Sequence, residues 1–368
     1  MKELLAALKR CKEDRLPCVI AAIIQVEGSS YRKEGARCII TSSGQVVGIL
    51  SGGCIEEDIA AHASEVFLQG RPKKLVYDFR SGEDDLWGLG AGCNGAITVW
   101  LELFDPVQFP EAAASILEDY EDRDRCTVPY YACTVLDSNV PERYAPGERW
   151  KAAEGSKCGP FSLPPGSCGI VQGEIEGGIV EIFAERIQPV PRLTVIGAGA
   201  DAELMTQMAC MMGWHVSVAY HETARAVKEN FPAAHELHHV PRGDFTRLPL
   251  HRRHYVLVMS HNLELDIAAA GQLLPHEDVV YMGILGSKSR INRIMEELQA
   301  EGLVNSRHLG KLHAPVGLNL GGETPQEITL SIMAEMVSHW HGASAQPMRT
   351  TKSAGLNGHV LPGRRKHG

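Results

Sequence analysis

The strongest constraint on this chain is the alternation in its second half. Short apolar runs at 193–196, 215–219, 255–259 and 279–285 alternate with helical stripes up to Met212, at 264–274 and at 288–301. Buried strands separated by helices imply a doubly wound parallel sheet with helices on both faces. The first run leads into Gly197-Ala198-Gly199, then a helix, Gly213 and a second strand. That is the setting a dinucleotide-type turn requires, with Ala202 in the third glycine's place, so residues 191–342 read as a Rossmann-like domain. The acidic residue expected at the end of the second strand is missing, because the chain there reads Ala219-Tyr220-His221-Glu222. A purely structural turn therefore stays open beside a nucleotide site, in which Glu222 could reach a ribose or Arg225 favour a phosphate. His261 follows the third strand, at the carboxyl edge where open α/β sheets bind ligands, and Asp266 lies five residues on. Gly286-Ser287-Lys288 follows the fourth strand and suits an anion at a helix start. Thr324, Pro325 and Glu327 form a capping box for a final helix.

The first half is also α/β. Leu4, Leu5, Leu8 and Cys11 have helical spacing, and 18–26 is a continuous apolar, β-rich run. Strands follow at 36–41, 46–50, 75–79 and 96–103, with a helical stripe through Ile55, Ile59, Ala63 and Val66. Residues 1–190 are taken as an N-terminal α/β domain with its core at 1–104. Residues 105–190 read as an extension plus connection: a helix within 105–121, a strand or two at 126–136, Pro/Gly-rich loops over 141–167 and a strand at 177–187. Residues 343–368 hold five basic and no acidic residues and read as a disordered tail.

Composition narrows the function. A net charge of −9 argues against general nucleic-acid binding. No run of eighteen apolar residues spans a membrane and the N-terminus lacks a signal peptide, so the expected location is the cytoplasm. The ten cysteines include no CxxC pair, which points to packed thiols rather than a zinc ribbon. His235, His238, His239, His339 and His341 lack ligand spacing and read as surface residues.

Two glycine-rich turns each carry one cysteine: Ser51-Gly52-Gly53-Cys54-Ile55-Glu56 and Gly88-Leu89-Gly90-Ala91-Gly92-Cys93-Asn94-Gly95. Glycine lets backbone N–H groups converge on a bound group without a Cβ in the way. A helix starting at the first turn would have Ser51 as its cap and Cys54 in its first turn, where the dipole favours a thiolate or oxyanion. Glu56, Glu57 and Asp58 oppose a second anion there. Gly28, Ser29, Ser30 and Arg32 follow a buried strand and suit phosphate or carboxylate. The Ser51–Cys54 turn alone is equally consistent with a tight turn holding a buried thiol, and the Gly28–Arg32 segment alone reads first as a solvated turn; two cysteine-bearing glycine turns in one domain favour a site. Cys54 and Cys93 are expected to face one another across a cleft, near Gly52, Gly53, Ser29, Ser30 and Arg32.

Together these segments resemble the XdhC/CoxI family, accessory factors for xanthine dehydrogenase and related molybdenum hydroxylases. The resemblance rests on Glu27-Gly28-Ser29-Ser30-Tyr31-Arg32 with Gly35-Ala36, Ser51-Gly52-Gly53-Cys54-Ile55-Glu56 and Gly90-Ala91-Gly92-Cys93-Asn94-Gly95. In the second half it rests on Gly197-Ala198-Gly199, Met259-Ser260-His261, the segment 281–288, and the segment 315–321 through Thr324-Pro325-Gln326-Glu327-Ile328. The sequence departs at Ala200, where the family often has His, and near Tyr220, where it often has Asp.

The resemblance implies a chaperone that holds the molybdenum cofactor, a phosphorylated pterin dithiolene, during sulfuration and then inserts it into an apo molybdenum hydroxylase. A cysteine desulfurase is the implied partner. Cofactor contacts are expected from Gly28, Ser29, Ser30, Arg32, Ser51, Gly52, Gly53, Cys54, Gly92 and Cys93, with Cys54 and Cys93 as soft metal ligands. In the second domain they are expected from Gly197, Gly199, His261, Ser287 and Lys288, where a nucleotide is the alternative guest. The rival functions are an NAD(P)-dependent oxidoreductase with His261 as acid–base, and a non-catalytic scaffold. A homodimer is the default assumption from the frequency of symmetric pairs.

Overall fold

The computed structural model describes residues 1–28, 30–51, 55–80, 95–154, 161, 168–175, 177–221, 228–303, 305–347 and 349. The chain divides into two compact units, Met1–Val190 and Pro191–Gly368.

The first unit is built on a five-stranded antiparallel sheet. Its strands are β1 (Cys18–Gly28), β2 (Arg37–Thr41), β3 (Val46–Gly48), β4 (Lys73–Asp78) and β5 (Gly95–Phe104), in the order β3-β2-β1-β5-β4. The apolar run of β1 is continuous because both faces are covered. Val19, Ala21 and Ile23 face helix α2 (Glu56–Gln69), packing with Ile59, Ala63 and Val66. Cys18 and Ile20 face α1 (Lys2–Glu13) and α3 (Pro110–Asp124), packing with Leu8, Ile116 and Tyr120.

Residues 130–187 are more than a connection. They form a second antiparallel sheet of β6 (Tyr130–Ser138), β7 (Arg149–Ala153), β8 (Gly169–Ile175) and β9 (Gly178–Ile187), in the order β7-β6-β9-β8. Strand β7 falls within the stretch read from composition as loops. Its Trp150 packs between Tyr144 and Phe161, so aromatic packing outweighs the local Pro/Gly content. The sheet has its own core around Tyr131, Val135, Val180 and Ile182, and Leu136 and Phe183 meet Ile24 and Trp100 of the first sheet.

A buried ion network stitches these layers. Arg37 of β2 donates to Glu185 of β9 through both terminal nitrogens, at 2.9 and 2.5 Å. Arg123 of α3 donates to the same carboxylate at 2.6 Å and to Asp119 at 2.8 Å. Gly35, at φ +87°, leaves room for the network, since a Cβ there would lie 2.5 Å from Glu185 Oε1.

The second unit is the doubly wound parallel sheet expected. Its strands are β10 (Arg192–Ile196), β11 (His215–Tyr220), β12 (Glu236–His239), β13 (His254–Val258), β14 (Val279–Ile284) and β15 (Leu312–His313). The order is β12-β11-β10-β13-β14-β15, all parallel. Helices α4 (Ala200–Met211) and α8 (Pro325–His341) cover one face; α5 (Leu263–Leu273) and α6 (Lys288–Ala300) cover the other. The capping box of α8 forms as expected. His339 is not a surface residue: its Nδ1 lies 2.6 Å from the Tyr255 hydroxyl, with the Tyr281 and His313 rings around it. Burial lowers its pKa below the ordinary value. His235 is exposed, as expected, and accepts from the Val216 amide while stacking on His215.

Burial by itself would raise the Glu185 pKa, but the charges of Arg123 and Arg37 outweigh it and hold the group at about 2. The network's stabilisation is therefore complete above the ordinary carboxylate value and is lost as pH falls toward 2. Thermal unfolding of the full chain is expected to show that loss, and Glu185→Gln is expected to cost about 3–5 kcal/mol near neutral pH by stranding buried guanidinium groups.

Candidate functional site

In the first unit the described parts of the glycine motifs are anchored at one edge of the five-stranded sheet. Strand β1 ends at Gly28, which pairs with Gly95 at the start of β5, and Asp78 at the end of β4 pairs with Ala96. Gly48 at the end of β3 pairs with Cys38, near the start of β2. Gly28, Asp78 and Gly95 thus lie at one end of the sheet, and the hydrogen bond from the Tyr77 hydroxyl to Asp58 brings the first turn of α2 to the same end. Ser30 is half-buried and Arg32 exposed. Ser29, Gly52, Gly53, Cys54, Gly92 and Cys93 lie outside the described residues, as does the expected approach of the two sulfurs.

Ser51 does not cap α2. The helix starts at Glu56 with Ile55 at the N-cap, and Glu56 folds back instead. Its carboxylate accepts from the Ser51 amide at 2.7 Å and from the Ser51 hydroxyl. Burial acts to raise the Glu56 pKa, but the Ser51 hydrogen bonds prevail and keep it below its ordinary range. Glu56 therefore clamps the turn that precedes the helix rather than simply adding charge to it. At the same edge Arg80 bridges Asp78 and Glu27, joining β4 to β1 across the end of β5.

Sequence reasoning passed over a cleft beside this edge. A cavity of about 330 Å³ lies between α2 and β4, lined by Asp58, His62, Tyr77, Asp78 and Phe79 among others. The Tyr77 hydroxyl donates to Asp58 at 2.6 Å, and His62 Nε2 stands 3.6 Å from the same carboxylate oxygen. Burial, and then the Asp58 hydrogen bond, push the Tyr77 pKa well above the usual phenol range, so it remains a donor. Only the i, i+4 spacing of Asp58 and His62 was visible beforehand.

In the second unit the strand order reverses between the neighbouring strands β10 and β13, the topological switch point where open α/β sheets carry ligands. Gly197 has φ +130°, and a Cβ on it would lie 2.6 Å from the Met259 carbonyl oxygen. Gly199 is the N-cap of α4. His261, at φ 59°, extends over this turn, with Nε2 3.7 Å from Asp201. The structure thus brings Gly197, Gly199 and His261 together and adds Asp201, which sequence reasoning missed.

Asp266 does not serve His261. It is fully buried, accepting from the Ser260 hydroxyl at 2.5 Å and from Arg290 at 2.5 and 3.1 Å. Ser287 caps α6 by accepting from the Arg290 amide, and Lys288 begins that helix, both exposed after β14. Tyr220 stacks obliquely on His239 where an acidic residue would serve a ribose. Glu222 and Arg225 lie outside the described residues. Among the described residues no group of three or more His, Cys, Asp or Glu is placed to hold a metal ion. Cys11, Cys18, Cys38, Cys126 and Cys133 are buried.

Comparison with known proteins decides the family. Residues 11–78 match the XdhC and CoxI family, and residues 193–336 match the XdhC Rossmann domain. A relative in Bacillus subtilis (strain 168), described as a probable subunit of xanthine dehydrogenase, is 30% identical over 88% of this chain and 94% of its own. The chain belongs to the XdhC and CoxI family. The molybdenum cofactor insertion chaperone PaoD of Escherichia coli (strain K12) is 22% identical over 87% of this chain and 82% of its own. A crystal structure described as a xanthine dehydrogenase from Bacillus halodurans superposes with a TM-score of 0.72 at 30% identity, covering 94% of this chain and 97% of that one.

Gly197→Ala is expected to lower stability by about 1–3 kcal/mol through its positive φ, and further through the contact with Met259. Gly199→Ala, whose Cβ would meet only the His261 ring at 3.5 Å, is expected to be far milder. Thermal unfolding of the two variants tests the difference.

Proposed function

We propose that this protein is a maturation factor for a molybdenum hydroxylase, binding the molybdenum cofactor as cargo and handing it to the apo-enzyme. The observation that supports this reading is that, in an XdhC and CoxI family member, described residues flanking the glycine–cysteine segments (Gly28, Asp58, Asp78 and Gly95) lie at one end of the five-stranded sheet. A dithiolene-bound molybdenum centre is a soft metal site, for which the thiols of Cys54 and Cys93 are suited ligands. Glycine-rich backbone at 52–53 and 88–95, with Ser29, Ser30 and Arg32, suits the phosphate and oxo groups of such a guest.

In this reading the protein holds its cargo while a cysteine desulfurase supplies sulfur, and it turns over no metabolite of its own. Glu56 fixes the approach to Cys54 through Ser51. The switch-point groups Gly197, Gly199, His261, Ser287 and Lys288 would contact a nucleotide or the phosphate part of the guest. Tyr220, set against His239, weighs against ordinary NAD binding. The names of the relatives support the maturation role; the cargo contacts are this proposal's own.

The test is purification of the full chain from a cofactor-producing host, followed by molybdenum and pterin analysis. The wild type is expected to retain both. Cys54→Ala and Cys93→Ala are each expected to lose most of the molybdenum while keeping the wild-type melting temperature. A wild type that carries neither metal nor pterin, or a double variant that carries both undiminished, contradicts the proposal.

A further inference from the structure

We propose that the first unit binds one internal water molecule between Trp100 and Tyr120, at the seam of its two sheets. Trp100 on β5 is 5% exposed, and its indole Nε1 has no acceptor among the described residues. Tyr120 on α3 is 1% exposed, and its hydroxyl likewise has no hydrogen-bond partner among the described residues. Both side chains line one cavity of about 10 Å³, whose wall also includes Glu102, Asp119, Arg37 and Arg149. Two buried donors left unpaired are costly, and burial pushes the Tyr120 pKa above its ordinary value, so the hydroxyl keeps its proton.

The cavity has the size and the polarity of a water site. Roughly 10–15 Å³ is enough for one water, which needs two to four polar partners. A water here accepts from the Trp100 N–H and the Tyr120 O–H and donates to the carboxylates of Glu102 and Asp119. Its four hydrogen-bonding directions match two donors and two acceptors in the wall. An anion fits less well. The carboxylates repel it, and the guanidinium groups of Arg37 and Arg149 are already engaged by Glu185 and Glu102. Glu102 and Arg149 also line a groove of about 450 Å³.

A crystal structure of the full chain at a resolution that shows ordered water tests the proposal. The expected result is one density peak at about 2.7–3.2 Å from both Trp100 Nε1 and the Tyr120 hydroxyl oxygen. Absence of a peak with the cavity intact overturns it, as does an anomalous signal there from crystals soaked in bromide. In solution, Trp100→Phe and Tyr120→Phe share one ligand, so the double variant's drop in melting temperature is expected to fall short of the sum of the single drops. Additive drops contradict a shared water.

Discussion

The antiparallel ladder between β1 and β5 is the interaction on which the first unit depends. It runs from Cys18 opposite Phe104 to Gly28 opposite Gly95, with one register shift at Ile23 and Gln25. A slip of one residue would turn Val19, Ala21 and Ile23 away from α2 and expose the mismatch on both faces at once. The same register delivers the glycine-rich ends of both strands to a single edge. Fold stability and the placement of the candidate site are thus set by one set of backbone hydrogen bonds.

A second constraint acts between layers. Glu185 is 148 residues from Arg37 in the chain, yet one carboxylate ties β2, α3 and β9 together. The three side chains are 2%, 7% and 12% exposed, so their attraction acts in a medium far less screening than water. Gly35 belongs to a segment that resembles the family's pattern, and its role here is to leave space for that carboxylate. In the second unit Gly197 acts similarly, letting the turn after β10 lie against the Met259 carbonyl at the end of β13.

Much of this fold was legible because buried strands and amphipathic helices leave regular patterns. The run beginning at Cys18, the alternation after Leu193 and the Thr324 capping box each became the expected element. The sheet at 130–187 was legible only in part: the strands expected at 126–136 and 177–187 became β6 and β9, but β7 and β8 were not foreseen. Strand β7 is short, lies among prolines and glycines, and is held by Trp150 packing against Tyr144 and Phe161 rather than by local propensity. Side-chain partnerships were harder still. Ser51 looked like a helix cap but is a donor to Glu56, and Asp266 looked available to His261 but is taken by Ser260 and Arg290. Choices of that kind depend on which groups the tertiary fold brings within hydrogen-bond reach. His261 and Gly199 were legible as neighbours because strand order places them at one switch point; Asp201 was not, since only the turn of α4 directs it there.

The central claim is that two thiols from separate glycine-rich segments serve a single guest at one sheet edge. The direct measurement is cross-linking of the native full chain with a short thiol-bridging reagent, followed by peptide mapping. The account predicts one dominant bridge, between the peptides carrying Cys54 and Cys93, which bound cofactor protects. Modification of both cysteines with no bridge between them, in a protein that remains folded, would contradict it.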